Sequence, residues 1–477
     1  MRSRPKVPVA LLTLVCLLTG LCTPSSAAPL NLLSKSEERS IGRKVVDEVR
    51  KEFRVLDDPY LALYLARMGK RLTSTIEHPQ FEPGFHVVGD SRINAFAVPG
   101  GQIFITSQTV LLSRDEDELA GVVAHELGHV EGRHIAQRVE VANKLNVAML
   151  AAVLAAAFLT KSPQAGAAVT SFALAGAETK MLQYSRADEE DADRRGLRTM
   201  TAAGYDGWGL VRFMETIHRQ SPAPEGVPAY LFSHPLPGNR AAYLAEALPP
   251  APQDRPEGRR PGPLWRAQAR VLVEDPRPWG LSMFEDRVRQ YPESADARLG
   301  LAVLLKALGR HAEALEQLAA AEKVAPEDAE IRHEKASVWL RQGRTAEAVA
   351  LLEGLRRDGR ATAPALAELG WAYLEADRGT EALAVYEDLG RLEPELPWEK
   401  LDYWRGMAFG KAGREGEAHA FLGDYYRTRD DHELAVRHYR EALAKLQPGA
   451  LRDRIDKELK ELRGSRLGAQ AESRKPH

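Results

Sequence analysis

Apolar and polar positions follow three regimes along the 477-residue chain. From Leu30 to Leu248, apolar residues at helical spacing are interrupted by short strand-like runs such as Gln102-Ile103-Phe104-Ile105-Thr106. From Trp265 to about Gln447 the spacing is almost wholly helical. Between them, residues 249–264 are rich in proline with Gly258 and Gly262, a stretch that cannot continue a helix and reads as a linker. Beyond Gly464 the residues are polar and charged, and a flexible tail is expected over 464–477. The pattern predicts a mainly α protein: an α+β domain with a small sheet over 29–248, then an all-α domain over 265–463.

The helical half has a period. Gly309-Arg310-His311-Ala312-Glu313-Ala314 returns as Gly343-Arg344-Thr345-Ala346-Glu347-Ala348, then as Asp377-Arg378-Gly379-Thr380-Glu381-Ala382, then as Gly413-Arg414-Glu415-Gly416-Glu417-Ala418. The first two steps are 34 residues and the last is 36. Large residues (Leu299, Trp371, Tyr373, Tyr403, Trp404) precede several of these turns, and Pro326 and Pro394 close two units. A helix–turn–helix of this length, with alanine at the crossing, is similar to the tetratricopeptide signature. Trp265–Tyr291 and His432–Lys445 read as degenerate end units. Stacked units of this kind form a curved superhelix suited to protein or peptide partners.

Composition narrows the picture. Hydrophobic residues are 44% and charged residues 28%, with a formal net charge of −2, so the chain lacks the basic excess of a nucleic-acid binder. Met1–Lys6 is basic, Val7–Cys22 is apolar, and small residues follow to Ala28: the order of a secretory signal, with a retained anchor as the alternative. Both cysteines fall in that segment, so its removal leaves a chain without thiols, with 62 basic against 67 acidic residues. A periplasmic location fits. Residues 145–177 hold two apolar stretches split by Thr160-Lys161-Ser162-Pro163. The first is short for a bilayer span, so a helical hairpin over the domain is expected, with dipping into lipid as the other reading.

Candidate chemistry is concentrated at His125-Glu126-Leu127-Gly128-His129. On a helix His125 and His129 share a face and reach one ion, while Glu126 stands beside them to take a proton from an activated water. Ser113 with Glu116 reads as the capping box of this helix. Downstream, Tyr184 to Asp193 is acid-rich, and Glu189 and Asp193, four apart, share a face. One carboxylate there can bind a metal while the other receives a ligand histidine's N–H. A solvated acidic helix paired with Arg194 and Arg195 is the alternative. A closed structural zinc site is disfavoured, since the mature chain offers no cysteine.

These motifs resemble the M48 peptidases, a gluzincin family. The resemblance implies a zincin-type α+β fold binding one Zn2+ per chain through His125, His129 and Glu189, with Glu126 as base and Asp193 behind the ligands. Asn94-Ala95-Phe96-Ala97-Val98-Pro99-Gly100-Gly101, running into Gln102–Thr106, looks like the family's strand pair beside the cleft, whose edge would hold an extended substrate. His234-Pro235-Leu236-Pro237-Gly238-Asn239-Arg240 is similar to a loop of periplasmic members. It implies that His234 stabilises the transition state or fills the fourth zinc position, and that Arg240 neutralises an oxyanion. His134 reads as local structure. With the signal and the repeats, the chain resembles periplasmic M48 proteases carrying tetratricopeptide repeats. The expectation is a zinc endopeptidase of envelope quality control, recruiting outer-membrane β-barrel proteins and their assembly machinery. The rival is a chaperone or scaffold with a latent protease.

Overall fold

The structure is a computed structural model describing residues 33–141, 184–219, 234, 240–250, 262–392, 400–429 and 431–472. The expected signal peptide, the 145–177 hairpin, residues 251–261 of the linker, Pro394 and residues 235–239 of the His234 loop lie outside these. Among the described residues no helix is long and apolar enough to cross a membrane.

Two helices open the first domain, α1 (Lys35–Glu52) and α2 (Pro59–Thr73). Each starts where the sequence supplies a cap. Ser34 accepts from the Glu37 amide while Glu37 accepts from the Ser34 N–H, and Asp58 accepts from the Leu61 amide just ahead of Pro59. Strands β1 (Gly84–Val88), β2 (Ala95–Val98) and β3 (Gln102–Thr106) form a sheet of order β1-β3-β2. β1 runs parallel to β3, and β2 antiparallel with Ala95 opposite Ile105. The β2–β3 turn is a Pro-Gly-Gly hairpin, with Gly100 and Gly101 at φ 79° and 81°. Alternation along the strands sorts the two faces. Phe96 and Phe104 stack at 4.9 Å and pack with Ile41, Val45 and Val49 of α1, whereas Ala95, Ala97, Ile103 and Ile105 face the main core.

Among the described residues, helices α3 (Ser107–Leu112), α4 (Glu116–Glu131), α5 (His134–Val141), α6 (Arg186–Ala202), α7 (Trp208–Arg219) and α8 (Arg240–Glu246) follow in this domain. The cap of α4 differs from expectation. Ser113 ends α3 instead, its hydroxyl donating to Thr109 O at 2.9 Å, and Asp115 caps α4 by accepting from the Glu118 amide at 3.0 Å. The serine was already spent on the preceding helix.

The repeat region is built of paired helices: α9 (Pro263–Glu274) with α10 (Gly280–Gln290), α11 (Ala295–Ala307) with α12 (His311–Val324), α13 (Ala329–Arg341) with α14 (Thr345–Arg357), α15 (Ala363–Glu375) with α16 (Gly379–Leu389), α17 (Lys400–Lys411) with α18 (Glu415–Thr428), and α19 (His432–Lys445) with α20 (Ala450–Glu472). Gly309, Gly343 and Gly413 turn at φ 74–75°, and Asp377 takes the same left-handed conformation at φ 58°. The alanines of the repeated motif (Ala314, Ala348, Ala382, Ala418) are buried at the crossings. Two boundaries move. α9 begins at Pro263, inside the expected linker, and buries Leu264 and Trp265; α20 runs past Gly464 to Glu472.

The two halves are not beads on a tether. One core joins α2, the sheet and α4 to α9–α12, and Leu63 of α2 packs with the α13–α17 cluster. Gln268 of α9 donates to the carbonyls of Val110 and Ser113 at 2.8 Å each, and Arg287 donates to Gln268. The repeats therefore pack directly against the domain that carries the candidate chemistry.

Candidate metal centre

Two glycines bring the histidine helix and the acidic helix together. A Cβ on Gly128 of α4 would lie 2.5 Å from Ala192 O, and one on Gly196 of α6 would lie 2.9 Å from Ala124 O. Backbone thus meets backbone, and short side chains from both helices reach a common point. His125, Glu126, Glu189, Asp193 and His234 are each 0% exposed, and His129 is also buried.

Among the described residues four donors converge there: His125, His129, Glu189 and His234. His125 Nε2 lies 3.2 Å from His129 Nε2 and 3.4 Å from His234 Nδ1. Glu189 Oε1 is 3.4 Å from His129 Nε2 and 2.9 Å from His234 Nδ1, while its Oε2 is 3.6 Å from His125 Nε2. Zinc–nitrogen bonds of 2.0–2.1 Å in a tetrahedron separate donors by about 3.4 Å. The set fits a tetrahedral ion in spacing and in its mix of imidazole and carboxylate. Beside it, both carboxylate oxygens of Glu126 are buried without a hydrogen bond of ordinary geometry; His234 Nε2 is 3.5 Å from one of them. A buried carboxylate so weakly partnered is costly unless something at the site satisfies it; the Ala97 backbone and the two nearby imidazoles do so only in part, which suits a group meant to meet a polar ligand.

Behind the donors stands a layer of fixed charges. Asp193 Oδ1 accepts from His125 Nδ1 at 2.9 Å. Arg240, 1% exposed, donates to Asp193 through Nε (2.7 Å) and Nη2 (2.6 Å) and to Glu189 Oε2 through Nη1 (2.6 Å), and Tyr243 O–H donates to Asp193. Burial alone would raise both carboxyls. Their neighbours overcome it: Arg240 with His125 holds Asp193 well below the usual carboxylate range, and the contacts with His234 and Arg240 do the same for Glu189. Burial pushes Glu126 up, with His234 and His125 pulling the other way, which favours a base that can take and return a proton. Burial drives His129 far below an ordinary imidazole, whereas Asp193 and Glu189 outweigh burial and lift His125 to about 9.

All seven sequence-predicted residues thus meet in one place. Glu190 and Asp191, on the other side of α6, pair with Arg194 and Arg195, so the solvated-helix reading holds for that face alone. Sequence reasoning missed Tyr184. Its ring stacks on His129 with centroids 3.6 Å apart, and its O–H donates to Ala97 O at 3.2 Å. No pattern marked it. His234 Nε2 lies 3.1 Å from Ala95 O, so two carbonyls of β2, the sheet's edge among the described residues, are engaged by the chain itself. His134, expected as local structure, sits under His129 with ring nitrogens 2.9 Å apart.

Comparison with known proteins accords with this geometry. Residues 59–248 match Peptidase family M48, and residues 281–337 match the tetratricopeptide repeat. The chain is 33% identical over 225 residues to the beta-barrel assembly-enhancing protease of Yersinia pestis and 32% identical to that of Escherichia coli K12, covering 47% of this chain and 46% of each relative. It is 29% identical over 234 residues to the mitochondrial metalloendopeptidase OMA1 of Schizosaccharomyces pombe, covering 48% of this chain and 66% of that protein. The chain spans about half the length of the beta-barrel assembly-enhancing proteases it matches. Helix crossing, donor set and similarity agree: this chain carries a peptidase family M48 domain followed by tetratricopeptide repeats.

Proposed function

We propose that this chain is an exported zinc endopeptidase of the cell envelope, holding one ion per chain through His125, His129 and Glu189. The observation that carries this reading is the buried, weakly partnered Glu126 carboxylate beside donors spaced for a tetrahedral ion. A bound zinc would supply a water acidic enough to ionise near neutrality and would polarise the scissile carbonyl. Glu126 takes the proton of the attacking water and returns it to the departing amine. Asp193 keeps the His125 ring turned to the centre. Arg240 acts as a positioning residue rather than at the oxyanion, because its guanidinium is spent on Asp193 and Glu189. The repeats would recruit outer-membrane β-barrel proteins or their assembly machinery.

The test is zinc content and peptide hydrolysis by the full chain and by Glu126→Gln. One zinc per chain in both, with hydrolysis lost in the variant, is the expected result. Hydrolysis undiminished in Glu126→Gln, or no stoichiometric zinc, would sink the reading.

A specific observation favours a resting state that is latent. His234 stands among the metal donors with Nδ1 and holds the β2 edge with Nε2, the two places a substrate would need. In that state the repeats serve as a scaffold until His234 leaves the donor set. His234→Ala should then raise hydrolysis; lower hydrolysis speaks for a direct role in catalysis instead, and unchanged hydrolysis with unchanged zinc coordination demotes His234 to a loop residue with no part in the chemistry.

A further inference from the structure

The turn between α4 and α5 is built around one side chain. Gly132 closes α4, Arg133 follows at φ 51°, and His134 opens α5. A left-handed conformation in a residue with a side chain costs about 1–2 kcal/mol, so something must hold it. Arg133 is tied down by Glu38 and by the carbonyl of Leu33. The ring of His134 folds back over Gly132, into the space a Cβ would fill: such an atom would lie 2.1 Å from His134 Nε2 and 2.5 Å from its Cε1.

The ring so placed is 5% exposed and stands 2.9 Å, Nδ1 to Nδ1, from His129. Its other nitrogen lies 3.1 Å from Asp191 Oδ2, and that oxygen accepts from Arg195 Nε at 2.6 Å. With both rings as neutral imidazoles, the Asp191 end sets the hydrogen positions along this line. Asp191 is engaged as an acceptor, so His134 Nε2 carries the proton and Nδ1 has a lone pair. His129 must then donate from Nδ1, which leaves Nε2 bare and facing His125 and Glu189. Asp193 sets His125 in the same sense from the other side.

We propose that His134 is a positioning residue for the metal: with Asp191 and Arg195 behind it, it fixes the tautomer and ring angle of His129 so that Nε2 is the ligand atom. This rests on the zinc reading above and adds to it a residue that touches neither substrate nor metal. Supporting partners of ligand histidines typically contribute 10–100-fold in metal affinity.

Zinc affinity of the full chain, measured by chelator competition, tests it, together with the visible spectrum of the cobalt-loaded protein. His134→Ala should weaken zinc binding by about 10–100-fold and alter the cobalt spectrum. His134→Asn, whose side-chain oxygen can accept from His129 Nδ1, should recover most of the loss. Gly132→Ala, which displaces the ring while leaving its chemistry intact, should behave like His134→Ala. Circular dichroism of the metal-free variants separates loss of fold from loss of affinity. Wild-type affinity and spectrum in His134→Ala would overturn the proposal while leaving the zinc site standing. No stoichiometric zinc in the unaltered chain would fail the site itself. Equal losses in His134→Ala and His134→Asn would reduce His134 to packing and also overturn it.

Discussion

Replacing Gly128 with alanine tests whether the helix crossing makes the centre. The new Cβ would lie 2.5 Å from Ala192 O and 2.9 Å from Ala192 Cα, both backbone atoms that cannot swing aside. Ordinary contact needs about 3.5 Å, so α4 and α6 must part by about 1 Å. Glu189 rides on α6 one turn before Ala192 and moves with it, while metal–ligand distances tolerate only about 0.2 Å. Overpacking of this kind costs about 1–3 kcal/mol, partly offset by the gain of up to about 1 kcal/mol that alanine brings to a helix interior. The expected outcome is a metal-free chain destabilised by about 1–2 kcal/mol, with zinc affinity at least about tenfold weaker. Gly354→Ala is the control, because nothing lies within 4 Å of its Cβ position in α14. It should be neutral or stabilising, with zinc binding unchanged. Denaturant unfolding with chelator present and zinc competition read the two effects separately. If Gly128→Ala gained stability as Gly354→Ala does and bound zinc like wild type, the close crossing would not be what assembles the site.

Two further outcomes follow from buried charge. Arg240→Ala strands Glu189 and Asp193, both 0% exposed, and breaking such a buried pair costs about 3–5 kcal/mol; denaturant unfolding of the metal-free variant should show it, with zinc restoring part of the loss, and a change under about 1 kcal/mol would refute the role. In the repeats, His333 faces Glu330, Glu334 and Glu368, with Arg270 and Lys306 paired to the same group of acids, and although burial opposes it, Glu330 and Glu368 lift its pKa to about 9. A folded pKa above the unfolded value of about 6.5 means stability that is complete below pH 6.5 and is lost as pH rises through 9. Melting in the presence of chelator should fall over that window, and His333→Gln should flatten the dependence; a wild-type profile in the variant would count against it.

Much of the molecule is written in short-range pattern. The recurrence of Gly309, Gly343 and Gly413 marks turns because a left-handed residue ends each first helix, and Ala314, Ala348, Ala382 and Ala418 mark crossings because only a small side chain fits there. The i,i+4 spacing of His125 and His129, and of Glu189 and Asp193, dictates a shared face once each segment is helical. The Ser113 cap failed for a local reason of the same kind, two helices competing for one serine. What tertiary structure alone decided is how those faces meet. Gly128 against Ala192 sets the distance between helices some sixty residues apart, Arg240 arrives from beyond residues 235–239 to neutralise two carboxylates, and His134 is aimed by a turn whose geometry Glu38 secures from α1. None of these contacts has a fixed sequence spacing, because each depends on where the chain returns after a connection of arbitrary length. A helix specifies its own faces through its period; only packing chooses which face it meets.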